Sequence, residues 1–238
     1  MVNNINISEA LCSTMPIIDV RSPKEYQQGH IPNAINIPLF SDEERAEVGT
    51  AYKQVSKEAA IEQGTILVNP KLLDFIHNSK KAAPKGSAII HCWRGGMRSQ
   101  SFAKHLSDNG FSELSVITGG YKAYRNHVLD QLEVTIKIKL LGGFTGSGKT
   151  YILSELEKLG HQILDLEGLA HHKGSAFGGI GQDAQPTSEQ FDNNLFREIS
   201  KLDRTQPIWI EDESYSIGTV NVPQQIHTQM RSSALIFI

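Results

Sequence analysis

Short apolar runs recur along the chain, and segments with the apolar spacing of helices separate them. The runs at residues 16–21, 87–90 and 114–117 have the length and the bounding turn residues that are typical of buried strands. Helical spacing occurs in residues 100–106 and 121–132. Strands that alternate with helices favour a parallel sheet with helices packed on its faces, so we predict an α/β fold.

A second series of apolar runs, at residues 135–141, 162–165 and 207–213, predicts a further α/β domain. A chain of 238 residues with 39% hydrophobic content is long enough for two domains. The predicted division is residues 1–125 for the first domain, 126–134 for the end of a linker helix, and 135–238 for the second domain. Residues 234–238 form an apolar strand that nothing follows, so we expect the second domain to be incomplete at its C-terminus.

Composition and charge exclude several classes of protein. The start of the chain lacks the apolar segment of a signal peptide, and no run approaches the length of a membrane span. We therefore expect a cytoplasmic protein without a membrane partner. The net charge of −3 gives no global sign of nucleic-acid binding, so any RNA contact must be local. Cys12 and Cys92 lie too far apart in sequence for a C-x-x-C site and form no disulfide framework.

Cys92 begins a glycine-rich loop between a predicted strand and a predicted helix. Such a turn points backbone N–H groups into one concavity, where the helix dipole favours an anion. Arginine side chains in the loop should lower the pKa of the thiol. We therefore predict that Cys92 is a catalytic nucleophile, with a buried inert cysteine as the alternative. The predicted anion cradle consists of Trp93, Arg94, Gly95, Gly96, Met97 and Arg98.

The second domain contains a strand followed by a glycine-rich loop and a helix, which is the context that a Walker A loop requires. Its glycines let backbone N–H groups surround a diphosphate or triphosphate, while Lys149 adds a positive charge. The predicted phosphate-binding residues are Gly143, Gly146, Ser147, Gly148, Lys149 and Thr150. Thr150 is also a candidate Mg²⁺ ligand, together with Asp212 or Glu211 at the end of a later strand. Asp212 is the preferred partner, and a solvated strand end is the alternative reading of these acids.

The N-terminal part of the chain resembles the rhodanese-like family. Ser22, Pro23 and Glu25 form a predicted helix start with a capping box. The residues that carry the resemblance in this stretch are Asp19, Arg21, Glu25, Gly29, His30, Ile31, Ala34, Ile37 and Pro38. The Cys92 loop matches the family's active-site loop, but five residues separate Cys92 from Arg98, where simple members have four. The wider loop is similar to that of related phosphatases, so Cys92 would either carry a chalcogen or attack a phosphate ester.

The whole chain resembles the tRNA 2-selenouridine synthase family. The Cys-Trp-Arg-Gly-Gly-Met-Arg-Ser loop at residues 92–99 is joined to a P-loop and to a His-x-x-Gly-Ser-Ala-Phe-Gly segment at residues 171–178. The resemblance implies an enzyme that transfers a geranyl group from geranyl diphosphate to wobble 2-thiouridine and then replaces the S-geranyl group with selenium from selenophosphate. Cys92 would carry the selenium, and the P-loop would grip the diphosphate. The family usually has arginine where this chain has Lys173. Lysine keeps the positive charge but cannot donate the two parallel hydrogen bonds that an arginine guanidinium forms with a phosphate.

The resemblance also implies partners and leaves another function open. Transfer RNA would be the macromolecular substrate, and an enzyme that produces selenophosphate is a candidate partner. The sequence indicates no tightly bound cofactor. The alternative function is a sulfurtransferase or phosphatase-like rhodanese module that is fused to, and regulated by, a nucleotide-binding P-loop domain. An inactive scaffold is a third hypothesis, which intact loops disfavour.

Overall fold

A computed structural model describes residues 2–144, 146–175 and 177–238 of the chain. The chain divides into two compact units, Met1–His127 and Val128–Ile238. The domain limits predicted from the sequence, residues 1–125 and 135–238, remain a prediction. Among the described residues, every helix is too short or too polar to cross a bilayer.

The first unit is built around a parallel sheet of five strands, in the order β1-β5-β4-β2-β3. Its strands are β1 (Val2–Ile5), β2 (Ile17–Asp19), β3 (Ile35–Asn36), β4 (Ser87–His91) and β5 (Glu113–Ile117). Its helices are α1 (Ile7–Cys12), α2 (Pro23–Gln28), α3 (Asp42–Gln54), α4 (Lys57–Val68), α5 (Leu72–Ala82) and α6 (Met97–Asp108), with a 3₁₀ turn at Asn69–Lys71. Helix α7 (Gly120–Leu132) begins in this unit and extends into the second.

Local chemistry explains where several of these elements begin. The Ser22 side chain accepts a hydrogen bond from the Glu25 backbone, and Glu25 caps Ser22 in return, so the predicted capping box is confirmed. Fully buried apolar side chains on the central strands, such as Ile90 and Val116, pack in the same cluster as Phe102 of α6. Burial of each of these side chains stabilises the fold by about 1.5–3 kcal/mol. The interior of the sheet therefore fixes the end of β4, where the thiol lies.

The second unit contains a parallel sheet of four strands in the order β11-β6-β8-β7 and a small antiparallel pair. Its strands are β6 (Ile138–Gly142), β7 (Gln162–Leu164), β8 (Ile208–Glu211), β9 (Ser216–Ile217), β10 (Val220–Asn221) and β11 (Ala234–Phe237). Its helices are α8 (Lys149–Lys158), α9 (Leu166–Ala170), α10 (Ser188–Ser200) and α11 (Gln224–Arg231). The carboxyl ends of β6, β7 and β8 lie side by side, which is where ligands bind in open α/β sheets.

Two features differ from the sequence expectations. The polar start of the chain forms β1, which pairs with β5 through residues from Val2 to Ile5. The segment after Asp165 contains a further element that the sequence analysis does not predict, the five-residue helix α9. Asp165 accepts a hydrogen bond from the Gly168 backbone and so starts this helix.

Candidate functional site

Cys92 lies directly after strand β4, in the turn that leads to helix α6. We call residues 92–98 the thiol loop. The side chain of Cys92 is only 3% exposed and borders the apolar cluster of the first unit. The sulfur nevertheless has a polar neighbour, because Sγ lies 3.2 Å from the Ser99 hydroxyl. Cys92 is therefore buried but differs from an inert core cysteine, because its sulfur contacts a hydroxyl group.

The surroundings of the sulfur favour the thiolate. Burial raises the pKa of Cys92, but the Ser99 hydroxyl, the charge of Arg98 and the backbone amides of Arg94 and Ser99 outweigh it. The net effect holds the pKa of the thiol below its ordinary value. The geometry therefore agrees with the chemistry expected of a nucleophile. The sequence reasoning did not single out Ser99.

Glycines at two turns allow the thiol loop to lie against the start of helix α7. Gly95 and Gly120 both have positive φ, at 65° and 57°. A Cβ on Gly120 would clash with the Cys92 carbonyl and lie 2.5 Å from the Gly95 nitrogen. The Tyr121 amide donates to the Cys92 carbonyl at 2.9 Å, and the Lys122 amide donates to the Trp93 carbonyl at 2.9 Å. The backbone of α7 thus closes the loop.

Charged side chains flank the thiol loop on the side of helix α2. Arg98 Nη1 donates to Glu25 Oε2 at 3.1 Å, and Arg45 Nε lies 3.6 Å from the same oxygen. Glu25 therefore holds Arg98 as well as capping its own helix. Arg94 is exposed, as are Trp93 and Met97, which are 37% and 53% exposed.

A buried ion pair between Asp19 and Arg21 lies next to the residues that hold the thiol loop. Arg21 Nη2 donates to Asp19 Oδ2 at 2.6 Å, and both side chains are at most 1% exposed. The Arg21 guanidinium also lies 3.8 Å from the ring centre of Tyr121, within the range of a cation–π contact. His91 Nε2 lies 3.6 Å from the same Asp19 oxygen. The family signature residues Asp19 and Arg21 thus fix the position of Tyr121, whose amide holds the Cys92 carbonyl.

The second unit carries the predicted phosphate-binding residues between β6 and α8. We call residues 143–150 the phosphate loop; Thr145 lies outside the described residues. Gly146 and Gly148 have positive φ, at 82° and 88°, and Gly148 precedes the first residue of α8. Lys149 Nζ donates to the Gly143 carbonyl at 3.1 Å, so its ammonium group lies over the loop. A Cβ on Gly143 would lie 2.6 Å from the Ser147 hydroxyl and 3.1 Å from the Ile238 carbonyl, so a side chain here would displace the Ser147 hydroxyl.

The acid that meets Thr150 is not the one preferred from the sequence. Thr150 Oγ1 donates to Glu211 Oε1 at 3.0 Å, whereas Asp212 forms an ion pair with Arg231. Successive side chains of a strand point to opposite faces, and the Asp212 amide still bonds to β6 through the Leu141 carbonyl. Of the two acids considered from the sequence, Glu211 and not Asp212 therefore contacts the Thr150 hydroxyl, and their role as metal ligands stays a prediction.

Three carboxylates from separate parts of the second unit meet near Thr150. One oxygen each from Glu167, Glu211 and Glu213 lies within 4.8 Å of the others, and we call these residues the glutamate cluster. Burial and then the Glu213 charge raise the pKa of Glu167 to about 7. Burial and then the Glu167 charge raise the pKa of Glu211 to about 7. Glu213 was missed, although it follows a strand end, and Glu167 was missed because only tertiary contacts bring it here.

The segment at residues 171–178 lies next to this cluster, with Ala176 outside the described residues. Lys173 is exposed, and its amide donates to the Gly178 carbonyl at 3.0 Å. Gly174 has a φ of 62°, and a Cβ there would lie 2.6 Å from Glu213 Oε2 and 2.7 Å from Glu167 Oε1. The backbone at this glycine therefore packs directly on two of the carboxylates.

Comparison with protein families gives two adjacent matches. Residues 4–127 match the rhodanese-like domain family, and residues 136–238 match the tRNA 2-selenouridine synthase AAA domain family. Together they cover both loops described above.

Curated relatives with both parts are called tRNA 2-selenouridine synthase. The chain is 40% identical to the one from Nitrosomonas europaea, over 94% of this chain and 59% of that protein. It is 40% identical to the one from Bdellovibrio bacteriovorus, over 94% of this chain and 60% of that protein. The chain therefore spans about 60% of the length of these relatives.

One solved structure is similar to about half of the chain. It is the N-terminal domain of a protein from Clostridium difficile 630 whose name describes ATP/GTP binding. The identity is 43%, the TM-score is 0.50, and the match covers 53% of this chain and 99% of that domain.

Proposed function

Because the chain belongs to the tRNA 2-selenouridine synthase family, we propose that it carries the two reaction loops of an enzyme that converts wobble 2-thiouridine in tRNA to 2-selenouridine. The observation that carries the proposal is the presence on one chain of an activated thiol and a phosphate loop. Cys92 has its thiol pKa lowered in a turn rich in amide donors, and Lys149 lies over a loop of the Walker A type.

The phosphate loop is suited to the first step, the transfer of a geranyl group. The sulfur of 2-thiouridine would attack C1 of geranyl diphosphate, and the carbon–oxygen bond to the diphosphate would break. Lys149 and the amides that precede α8 would stabilise the charge that builds up on the departing diphosphate. A divalent cation such as Mg²⁺ beside Thr150 would neutralise part of that charge.

The thiol loop is suited to the second step, in which selenium replaces the S-geranyl group. Selenophosphate is a small tetrahedral oxyanion, and amides at a helix start together with Arg98 provide donors for such an anion. We assign Cys92 to the handling of selenium in this step. Trp93 and Met97, exposed at the rim of the loop, and Arg94 would contact the donor or the incoming base.

The proposed reactions require a tRNA substrate and a source of selenophosphate. The tRNA would be the substrate of both steps, and an enzyme that makes selenophosphate would supply the donor. We propose that this chemistry takes place in the cytoplasm. The mild net charge of −3 leaves tRNA binding to local surfaces of this chain or of the longer protein.

Mass spectrometry of wobble uridine tests the proposal directly. Cells that lack the gene would be complemented with the wild-type sequence, with Cys92→Ala, or with Lys149→Ala. We expect Cys92→Ala to abolish 2-selenouridine while S-geranyl-2-thiouridine accumulates, and Lys149→Ala to lower both products. Cys12→Ala and Lys158→Ala are matched controls, because Cys12 is exposed and Lys158 forms a surface ion pair with Glu155. Unchanged selenouridine in Cys92→Ala cells would refute the assignment.

The similarity to the N-terminal domain of a protein whose name describes ATP/GTP binding supports one further candidate, a nucleotide-regulated rhodanese module. Ligand protection separates the two functions. Stabilisation of the purified chain by geranyl diphosphate but not by ATP or GTP favours the synthase, and the reverse pattern favours the nucleotide-regulated module.

A further inference from the structure

Large apolar side chains are exposed around the start of the phosphate loop. Phe144, within the loop, is 77% exposed, and Phe237, the last residue of β11, is 61% exposed. Their ring centres lie 5.6 Å apart in an edge-to-face arrangement, and we call these two residues the aromatic pair. Single exposed apolar side chains are ordinary on protein surfaces, but two rings that meet from separate elements form a patch.

The backbone of the second unit holds this patch against the phosphate loop. Strand β11 pairs in parallel with β6, so that Phe237 lies opposite Gly142, the residue directly before the loop. The Ile238 amide donates to the Gly142 carbonyl at 3.0 Å and fixes this register. A Cβ on Gly142 would lie 2.7 Å from Leu235 Cδ1 and 3.3 Å from Phe237 Cδ2. The glycine therefore lets both apolar side chains pack against the end of β6.

A positive charge adjoins this apolar surface. Lys149 Nζ donates to the carbonyl of Gly143, the residue directly before Phe144, at 3.1 Å. A Cβ on Gly143 would lie 2.9 Å from Ile238 Cγ1, so the apolar end of the chain also borders the loop. A group that binds anions and a hydrocarbon surface thus lie side by side. Such a surface is complementary to a ligand with a phosphate head and an apolar tail.

The side chains of the patch favour a hydrocarbon over a nucleobase. The aromatic pair, Leu235 and Ile238 have no polar side-chain atoms, so these side chains offer no hydrogen bonds to the ring nitrogens and exocyclic groups of a base. Sites that select a ligand by its polar groups provide hydrogen-bond partners for them. An aliphatic chain needs only apolar contact, and each methylene that it removes from water strengthens binding.

From these contacts we propose that Phe144 and Phe237 bind the hydrocarbon chain of a prenyl diphosphate whose diphosphate lies in the phosphate loop. The aromatic pair would then select a prenyl compound over free diphosphate and over nucleotides. The inference deepens the proposed function, and it rests on that function for the identity of the chain, a geranyl group. Binding can be measured without tRNA or selenophosphate, so failure of this site and failure of the function are distinguishable.

Isothermal titration calorimetry of the purified chain with geranyl diphosphate, dimethylallyl diphosphate and inorganic diphosphate, all with Mg²⁺, tests the site. We expect the wild type to prefer geranyl diphosphate to inorganic diphosphate by about tenfold or more, with the shorter dimethylallyl compound between them. Phe144→Ala and Phe237→Ala should each lower this preference about tenfold, because each removes a ring that contacts the chain. Leu159→Ala is the matched control, since Leu159 is 75% exposed at the opposite end of α8. It should keep the wild-type preference.

Each result decides the question. A preference that both phenylalanine variants reduce and Leu159→Ala retains supports the site. Equal affinity of the wild type for geranyl and inorganic diphosphate, or no binding of geranyl diphosphate, overturns it. An unchanged preference in either phenylalanine variant, or an equal loss in Leu159→Ala, also overturns it.

A nucleotide titration adds a further outcome. Tighter binding of ATP or GTP than of geranyl diphosphate, weakened by loss of either ring, would assign the rings to a nucleobase and overturn the proposal. Mass spectrometry of wobble uridine judges the proposed function separately. If Phe237→Ala does not fold, as judged by circular dichroism, Phe144→Ala carries the test, because Phe144 is the more exposed of the two.

Discussion

Removal of the Ser99 hydroxyl should make the Cys92 thiolate harder to form. Ser99 Oγ lies 3.2 Å from the sulfur, and both side chains are almost fully buried. A hydroxyl that donates to a thiolate stabilises the charged form, so Ser99→Ala should raise the pKa of Cys92. The direction follows from the hydroxyl being the first of the groups that lower this pKa.

The hydroxyl of Ser99 has one proton and can donate only one hydrogen bond at a time, and this limits how far its removal raises the pKa of Cys92. When the thiol is neutral, Ser99 donates to the Gly96 carbonyl at 3.0 Å. Donation to the thiolate gives up that bond. A hydrogen bond to a charged group contributes about 1.5–3 kcal/mol and a neutral one about 0.5–1.5 kcal/mol. The difference is about 1–1.5 kcal/mol, which lowers the thiolate population about tenfold at a pH below the pKa.

The assay is a pH titration of the thiolate in a Cys12→Ala background, where Cys92 is the remaining cysteine. Ultraviolet absorbance of the thiolate reports ionisation, and the rate of alkylation by iodoacetamide reports its reactivity. Ser101→Ala is the matched control, because Ser101 is exposed on the same helix. It should leave the titration unchanged.

A Ser99→Ala protein that titrates like the control would refute the reasoning. It would mean that Arg98 and the backbone amides determine the ionisation without the hydroxyl. An alkylation rate that falls without a shift of the absorbance titration would instead indicate altered access, and it would also contradict the prediction.

Three further predictions test the surroundings of the two loops. Gly120→Ala should lose about 1–3 kcal/mol more stability than Gly110→Ala, because both require positive φ but only the first meets the backbone of the thiol loop; equal losses in denaturant unfolding would contradict this. Arg98→Ala should raise the pKa of the thiol while Arg98→Lys largely preserves it, since the effect is coulombic; identical titrations would exclude that role. In chelator, thermal stability of the second unit should be highest under acidic conditions and fall as pH rises through about 7, because the folded glutamate cluster holds protons that the unfolded chain releases. Glu211→Gln should flatten that dependence, and a wild-type midpoint that rises with pH would disprove the sign.

Local patterns predicted the elements that carry chemistry because those elements have short-range signatures. The strand before Cys92, the paired glycines and the Walker A spacing are all contained within a few residues. The capping box at Ser22 is equally local. The sequence could therefore place both loops in the correct strand-to-helix contexts.

The partners of these loops depend on contacts that sequence spacing does not encode. Glu211 and Asp212 are adjacent, and only the packing of β8 decides which of them faces Thr150. Glu167 lies 44 positions before Glu211, and nothing in its local pattern indicates that the two meet. Strand β1 was missed for a similar reason, since half of its residues are asparagine and only pairing with β5 makes it a strand.

The burial of the Cys92 sulfur limits which reagents can reach it. With only 3% of the residue accessible, a bulky disulfide such as oxidised glutathione has little access to the sulfur for thiol–disulfide exchange, which would release reduced glutathione, whereas a small inorganic anion meets less steric hindrance. A reactive thiolate in this position is therefore protected by size exclusion. We expect oxidised glutathione to modify the exposed Cys12 faster than the buried Cys92.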